Sequence, residues 1–529
     1  MSVRHGFILL SIIFSSLLLL LASYWPKMIW GFAIIGPIIL LGLYDLIQTK
    51  HTIMRIYPVI GNFRYLFESI RPEIQQYFVE SDINGRPINR EFRALIYQRA
   101  KHVRDTRPFG TQFDVYRAGY EWMNHSLLPI HVEDKHPRIR FGGPDCSKPY
   151  DASPLNISAM SYGALSKHAI MALNKGAKLG HFSHNTGEGG LSPYHLKHGG
   201  DIVWQIGTGY FGCRDTEGFF DRDKFSEKAQ IDAVKMIEIK LSQGAKPGHG
   251  GILPAAKLTP EIAEIRHVPL GQDVVSPAAH SAFSTPIELL EFVKELRELS
   301  GGKPVGFKLC IGKRNEFLGI CKAMLETGIK PDFITVDGGE GGTGAAPIEL
   351  TNSVGTPLRD AVIFVNNALI GTGLREHIRI IASAKIFTAF HMARIIALGA
   401  DTVNSARGMM LALGCIQSRS CNTDRCPTGI ATQDPARYKA LNIEDKGKRV
   451  ASFHNLTVEH LTGLLGACGI SSIEELKPAD IFRRVNGTEV ANYEDLYPIV
   501  KSLCLRCDSD KDIPQRWQND WKNASAEHW

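Results

Sequence analysis

The 529-residue chain lacks the features that mark several specialised classes of protein. It has no internal repeat at a fixed period and no low-complexity tract, which excludes a repeat architecture. It has no long Lys/Arg run. Its 60 Lys and Arg against 54 Asp and Glu leave a diffuse net charge of +6, which gives no argument for nucleic acid. Residues 5–26 have no acidic residue, Lys or Arg, and neither do residues 28–44. What is present is ordinary for a globular protein, 44% hydrophobic and 22% charged, and this excludes a mostly disordered chain. The 50 glycines gather in short loops, as where backbone must approach a ligand closely.

The two charge-free blocks are separated only by Pro26 and Lys27. About 20 apolar residues span a bilayer as a helix, and the second block reaches that length if it runs on to Ile47. The pattern predicts a transmembrane helical hairpin over residues 1–50, with Trp25, Trp30 and Tyr44 as interfacial aromatics. Lys50, Arg55 and Arg64 follow it, and the positive-inside rule puts that side in the cytoplasm. A signal peptide starting at Arg4 is the alternative, although no small-residue cleavage site follows. Residues 51–149 read as a mixed-charge, largely helical connector, with amphipathic spacing over 65–78. Residues 435–529 read as a helical tail, with helical stretches near 458–465 and 473–476. The tail also holds Cys504-x2-Cys507, which fits half a zinc site, a redox pair or two ordinary thiols.

From residue 150 to 434, short apolar runs alternate with helical segments. Strands are predicted over 155–160, 236–241, 305–310, 333–336, 378–382 and 402–404, and helices over 167–179, 286–299, 316–327 and 388–398. Such alternation implies βαβ units and a parallel sheet, and with this many units a closed (β/α)8 TIM barrel is favoured. Gly-rich turns follow several strands: Thr186-Gly-Glu-Gly-Gly190, Gln243-Gly-Ala-Lys-Pro-Gly248 and Asp337-Gly-Gly-Glu-Gly-Gly-Thr343. In a barrel these gather on the C-terminal face, where active sites sit and where glycine lets backbone amides reach a phosphate. Each turn could also be a tight connection and nothing more.

The strongest local signal is Cys415-x5-Cys421-x4-Cys426, followed by Pro427. Three thiolates in one short loop, with no nearby fourth, suit a three-iron cluster. Zinc would need to recruit Asp424 or a distant Cys. A cytoplasmic setting argues against a disulfide, and simple buried cysteines are the plainest alternative.

Five segments together resemble the FMN-binding synthase domain of glutamate synthase. They are Ile157-Ser-Ala-Met-Ser-Tyr-Gly-Ala-Leu-Ser166, Asn185-Thr-Gly-Glu-Gly-Gly190, Glu238-Ile-Lys-Leu-Ser-Gln-Gly-Ala-Lys-Pro-Gly248, residues 337–347, and residues 412–433 through the cysteines. With its hairpin and connector, the chain resembles the short membrane-anchored bacterial members. The resemblance implies a (β/α)8 barrel that binds FMN beside a 3Fe-4S cluster held by Cys415, Cys421 and Cys426. It implies that Met160 and Ser161 lie against the flavin and Lys308 lies near its pyrimidine edge. Gly338, Gly339, Ser383, Lys385, Ser405, Ala406 and Arg407 would hold the phosphate. Glu188, Gln243, Lys246 and Arg266 match positions that contact 2-oxoglutarate or its imine. The chemistry suits these types: an Arg grips a carboxylate, a Lys polarises an oxo group, and a carboxylate moves protons. The implied reaction is reductive amination of 2-oxoglutarate by ammonia to give glutamate. The implied location is the bacterial cytoplasmic membrane, with a two-pass anchor and the catalytic domain in the cytoplasm.

Taken without the resemblance, Lys308 could be a snorkelling strand-end residue and Arg266 an exposed helix residue. His184, His249 and His280 read as supporting or core histidines. The chain departs from the family pattern in several places. The membrane hairpin stands where a glutaminase domain begins in glutamine-dependent members, so ammonia is expected free or from a glutaminase partner. No NAD(P)H domain is visible, so ferredoxin or another flavoprotein is the expected electron donor. Ile252 replaces a frequent Gln, and Ser383-Ala-Lys385 stands where Gly is usual. Ile252 and the hairpin leave a second reading open, a related FMN oxidoreductase acting on another oxo acid, imine or membrane-linked carrier. A non-enzymatic membrane scaffold is the third; it predicts eroded cofactor loops, and the three cysteines and Lys308 argue against it.

Overall fold

A computed structural model of the chain describes residues 2–506 and 513–529. Cys507 lies outside the described residues. The chain divides into two compact units, residues 1–90 and 91–529.

The first unit is helical. Val3–Tyr24 and Pro26–Ile47 are each 22 residues long and apolar enough to cross a membrane by length and composition. Large side chains such as Ile12, Leu19, Leu20 and Leu40 stay exposed on them. Shorter helices follow over Thr52–Ile56 and Gly61–Ile74, the latter continuing through Gln75–Val79.

The second unit is built on a closed barrel of eight parallel strands. In chain order they are β1 (Leu155–Ile157), β2 (His184–Asn185), β3 (Ile202–Ile206), β4 (Val234–Lys240), β5 (Val305–Leu309), β6 (Phe333–Asp337), β7 (Arg379–Ser383) and β8 (Thr402–Ser405). Each pairs with its sequence neighbours, and β8 closes on β1 through Val403 opposite Leu155. The predicted barrel is therefore present. Six of its strands lie where the apolar runs put them; β2 and β3 are additional. The helix Pro286–Leu299 matches its predicted span, and Lys167–Gly180, Arg314–Thr327 and Ala389–Ile396 differ from theirs only near the ends.

Strand alternation sorts the barrel interior into layers. In β4, Ile237 and Ile239 are one set, while Met236, Glu238 and Lys240 are the other. Met236 joins Val203, Phe333 and Ile381 in an apolar layer that a hairpin, Ile139–Phe141 with Tyr150–Ala152, covers at the N-terminal end. One step up, the Glu238 carboxylate accepts hydrogen bonds from Asn185 (2.8 Å), Gln205 (2.6 Å) and Thr335 (2.6 Å). A buried carboxylate with this many donors is tolerated in a core. The next step is charged: Lys240, Lys308 and Asp337 stand at the C-terminal ends of their strands. The interior thus passes from apolar to polar to ionic along the barrel axis.

The segment 101–138 differs from a helical connector. Its only regular element is the strand Glu121–Met123. Its turns are held by short polar side chains, with Asp114, Ser126 and Asp134 each accepting from the amide two residues on. The C-terminal segment packs on the barrel. Its helix Ile443–Ala467 lies on Lys167–Gly180, where His454 stacks on Phe182 at 3.9 Å. Its strand Ile481–Arg484 pairs with Glu121–Met123. The buried Glu121 carboxylate then accepts from Arg394 (2.8 Å), Tyr493 (2.8 Å) and Arg359, joining three parts of the chain.

Candidate active site

The charged end of the barrel carries most residues expected to act. Glu188, in the turn after β2, places one carboxylate oxygen 2.8 Å from the Lys240 ammonium. Lys246 and Arg266 reach the same carboxylate from the long segment after β4, close enough for both to lower its pKa. Burial alone would raise Glu188, but Lys240, Lys246 and Arg266 together hold it below the usual carboxylate range. Burial pulls Lys246 below the usual lysine range, with Glu188 opposing and Lys240 assisting. Arg266 is buried, not an exposed helix residue; burial pushes it down to about 10 against the pull of Glu188. Its guanidinium lies over the Phe211 ring at 5.2 Å and donates to the Tyr162 carbonyl at 3.1 Å. Its Nε atom is buried without a hydrogen-bond partner. Glycine is needed on both sides of this cluster. A side chain at Gly251 would collide with the Glu188 carboxylate, and a Cβ at Gly189 would lie 2.9 Å from the Arg266 guanidinium.

Gln243 is half-buried in the same segment as Lys246. Ile252 follows Gly251 directly and pairs with Val275 in a two-residue antiparallel ladder.

Beside this cluster, Lys308 is buried and lies 3.2 Å from Asp337. Burial works against its charge, but Asp337, Glu238 and Glu188 outweigh it, so its pKa is raised and it stays an ammonium. It is not a snorkelling residue. Asp337 also accepts from the Gly244 amide at 2.9 Å, tying the loop of Gln243 and Lys246 to β6.

The segments after β6, β7 and β8 meet next to it. Ser383 is buried at the end of β7, its hydroxyl 3.2 Å from that of Ser158. Lys385 follows with a left-handed backbone (φ 46°). Ser405 is buried and donates to the Ile386 carbonyl at 2.7 Å; Ala406 and Arg407 are half-buried. Burial lowers the Arg407 pKa, with Asp337 and Glu340 opposing. The amides of Gly338 and Gly339 are committed inside the protein, donating to Ser383 (2.9 Å) and Thr356 (2.8 Å). Met160 is buried and Ser161 half-buried just past β1. Six cations (Lys240, Lys246, Arg266, Lys308, Lys385 and Arg407) share this end with four carboxylates (Glu188, Glu238, Asp337 and Glu340). The surplus of positive charge suits an anionic ligand.

The cysteine loop is stapled to the turn after β1. Gln433 donates to the carbonyls of Gly163 and Leu165, both at 3.0 Å, and Ser166 donates to Gly429 at 2.7 Å. Cys415 and Cys421 are partly exposed, and Cys426 is buried. Burial pushes Cys415 up to about 11, despite the Gln417 amide donating to its sulfur, and Cys421 is also raised. Cys426 is lowered: burial opposes this, but the Thr428 hydroxyl and the backbone amides of Ala431, Thr428 and Ile430 outweigh it. Amides aimed at one sulfur favour a thiolate, as cluster ligands require. Among the described residues, no three His, Cys, Asp or Glu side chains are close enough to hold a single metal ion.

Two residues of this site are not singled out by the sequence. Lys240 sits within a motif that was read, but its partner Glu188 comes from another strand's turn. Lys257 is buried, donates to the Ala164 carbonyl at 3.0 Å, and is close enough to feel the charges of Asp424, Cys421 and Cys426. Its signal was a lone lysine in an apolar stretch. Of the histidines, His184 is fully buried, His280 is buried between Tyr210 and the Lys240 carbonyl, and His249 is exposed.

A closed parallel barrel with its ionic residues gathered at the strand C-termini is the architecture of a (β/α)8-barrel enzyme. The conserved region of glutamate synthase matches residues 130–471. The chain is 40% identical over 491 residues to the glutamate synthase large subunit-like protein YerD of Bacillus subtilis (strain 168), covering 85% of this chain and 93% of that protein. It is 37% identical over 326 residues to the archaeal glutamate synthase (NADPH) of Methanocaldococcus jannaschii, covering 61% of each. Among solved structures, a mutant flavocytochrome b2 with pyruvate bound matches with a TM-score of 0.40 at 12% identity, over 79% of this chain and 85% of that one. The chain belongs to the glutamate synthase family and is a glutamate synthase-like oxidoreductase.

Proposed function

We propose that the protein catalyses FMN-dependent reductive amination of 2-oxoglutarate to glutamate, using ammonia from outside the chain and electrons passed through a 3Fe-4S cluster. The observation that carries this reading is the convergence of Glu188, Lys240, Lys246 and Arg266 beside the buried ammonium of Lys308.

The residues present fit both groups. A buried Lys308 whose ammonium form is favoured by Asp337 suits the pyrimidine edge of a flavin, because a cation there stabilises reduced flavin. Met160 and Ser161 would line the flavin, and Ser383, Lys385, Ser405, Ala406 and Arg407 would hold its phosphate. Gly338 and Gly339 would contribute there by close backbone approach, since their amides already have partners. Cys415, Cys421 and Cys426 would hold the cluster, with the amides around Cys426 favouring its thiolate. When bound, FMN supplies the hydride and the cluster supplies the electrons that replenish it.

The chain's own residues prepare the substrate. Arg266, with an unpartnered buried Nε, pairs with a substrate carboxylate. Lys246 polarises the oxo group, and its lowered pKa makes a proton easier to give up. Glu188, held ionised by its three cations, accepts protons released as ammonia adds. Phe211 and the turn after β1 cover the Arg266 side and limit water. The hairpin anchors the enzyme in the cytoplasmic membrane, with Lys50, Arg55 and Arg64 on the cytoplasmic side. Ferredoxin or another flavoprotein would deliver electrons, and a separate glutaminase could supply ammonia.

One observation favours a second reading. Ile252 follows Gly251, the residue set against the Glu188 carboxylate, and an apolar residue at this point of the segment would suit a different oxo acid, an imine or a membrane-linked carrier. Anaerobic incubation of chemically reduced protein with 2-oxoglutarate and ammonium separates the two. Glutamate formed with flavin reoxidation is expected; flavin that stays reduced would favour the second reading.

A further inference from the structure

Within the first unit, an apolar stripe runs along the helix Gly61–Ile74 and its continuation Gln75–Val79. Ile60, Phe63, Phe67, Ile70, Ile74 and Phe78 recur every three or four residues, the period of one helix face. All six are exposed, Ile60 at 66%, Phe67 at 60% and Phe78 at 85%. A continuous face of this kind in water is costly and marks a surface meant to be covered. Arg64 and Arg71 stand at one edge of the stripe and are exposed; Arg64 lies 3.9 Å from Glu68 one turn on, an exposed pair, and Arg71 is the nearer of the two to the stripe. Ser69 lies on the opposite face.

The start of this helix is fixed to the second long apolar helix. The Asp45 carboxylate, fully buried in the last turn of that helix, accepts from the Val59 amide at 2.8 Å and from the Asn62 side chain at 2.6 Å. Asn62 also donates to the Val59 carbonyl at 3.2 Å. The stripe therefore begins where the apolar helix ends. If that helix spans a bilayer, its end is the level of the headgroups.

We propose that residues 60–79 form an in-plane helix on an anionic lipid surface, its apolar face set about 5–10 Å into the headgroup–acyl boundary. The proposal rests on reading the hairpin as a membrane anchor. Lipid is the occupant chosen because the stripe continues from two lipid-compatible helices. Arg64 and Arg71 at its margin suit anionic headgroups, with their stems lying along the apolar face. The segment turns a point anchor into one with a fixed footing on the surface.

The test uses the full-length protein reconstituted in phosphatidylcholine vesicles containing phosphatidylglycerol. A photoreactive benzoylphenylalanine replaces Phe67, Ser69 or Leu19 in turn, and cross-linking to labelled lipid is read after illumination. Lipid adducts at positions 67 and 19, several-fold weaker at 69, are the expected result. Removing phosphatidylglycerol should lower the yield at 67 and leave 19 unchanged. Adducts at 19 with none at 67, or protein–protein adducts at 67, would overturn the in-plane helix while leaving the anchor intact. No lipid adduct at 19 would overturn the anchor reading itself, and the proposal with it.

Discussion

Glu188 and Lys240 meet at the mouth of the barrel, carboxylate to ammonium at 2.8 Å, although they belong to different βα units. β4 presents Lys240 from its last residue, and the turn after β2 delivers Glu188. With Lys246 and Arg266 nearby, this one carboxylate is surrounded by cations and stays ionised.

The first prediction concerns the pH profile. Glu188 titrates below its ordinary range because Lys240 pairs with it. In Lys240→Gln that support is lost, so the acidic limb of the kcat/KM profile moves to higher pH. Glu188→Gln should lower kcat by about 10²- to 10⁴-fold, the range for losing a general base. The linkage has the same sign. The lowered pKa contributes stability at pH above the ordinary glutamate value, and that contribution is lost as pH falls through the lowered one. A profile unmoved in Lys240→Gln would contradict the pairing's role.

Arg266→Lys tests the carboxylate clamp. Lysine keeps the charge but loses the planar fork. KM for 2-oxoglutarate should rise about 10- to 100-fold, matching the roughly 1.5–3 kcal/mol of a charged hydrogen bond. Steady-state kinetics with added ammonium gives the answer, and an unchanged KM would remove Arg266 from the substrate site.

The cysteine loop makes a separable prediction. Cys421→Ser should lose iron, sulfide and visible cluster absorbance while retaining much of the flavin. Iron and sulfide contents equal to wild type would rule out this ligand set.

A buried pair at the N-terminal end of the barrel governs stability. Asp332 accepts from Arg297 at 2.9 and 3.1 Å, from the Val305 amide at 2.8 Å and from the Gly143 amide at 2.9 Å. Asp332→Ala leaves the buried Arg297 without its carboxylate, keeping only the Lys330 carbonyl at 2.6 Å, which costs about 3–5 kcal/mol. Thermal or urea unfolding should show that loss, with the cofactor content of the folded fraction unchanged. A loss below about 1 kcal/mol would mean the pair behaves as a surface one.

The barrel was legible because six of its strands are apolar runs alternating with helical segments, and two of them, β4 and β6, run into Gly-rich turns. β2 and β3 escaped for physical reasons. β2 is two residues long, His184 and Asn185, and both are polar. β3 points Gln205 inward to satisfy Glu238, which breaks its apolar signature. The site's residue types were legible from its motifs, but its pairings were not. Nothing in local sequence brings Lys240 to Glu188, or Lys257 to the cysteine loop; strand order does that. Segment 101–138 is irregular rather than helical, because its turns rest on single Asp and Ser side chains that accept from nearby amides.

Amination of 2-oxoglutarate at this site is testable in a single turnover: stoichiometrically reduced holoprotein, mixed anaerobically with 2-oxoglutarate and ¹⁵N-ammonium, with labelled glutamate counted against flavin. About one labelled glutamate per reduced flavin is expected, and almost none from Glu188→Gln. Wild-type protein that carries flavin and cluster, yet leaves the flavin reduced and forms no labelled glutamate, would contradict it.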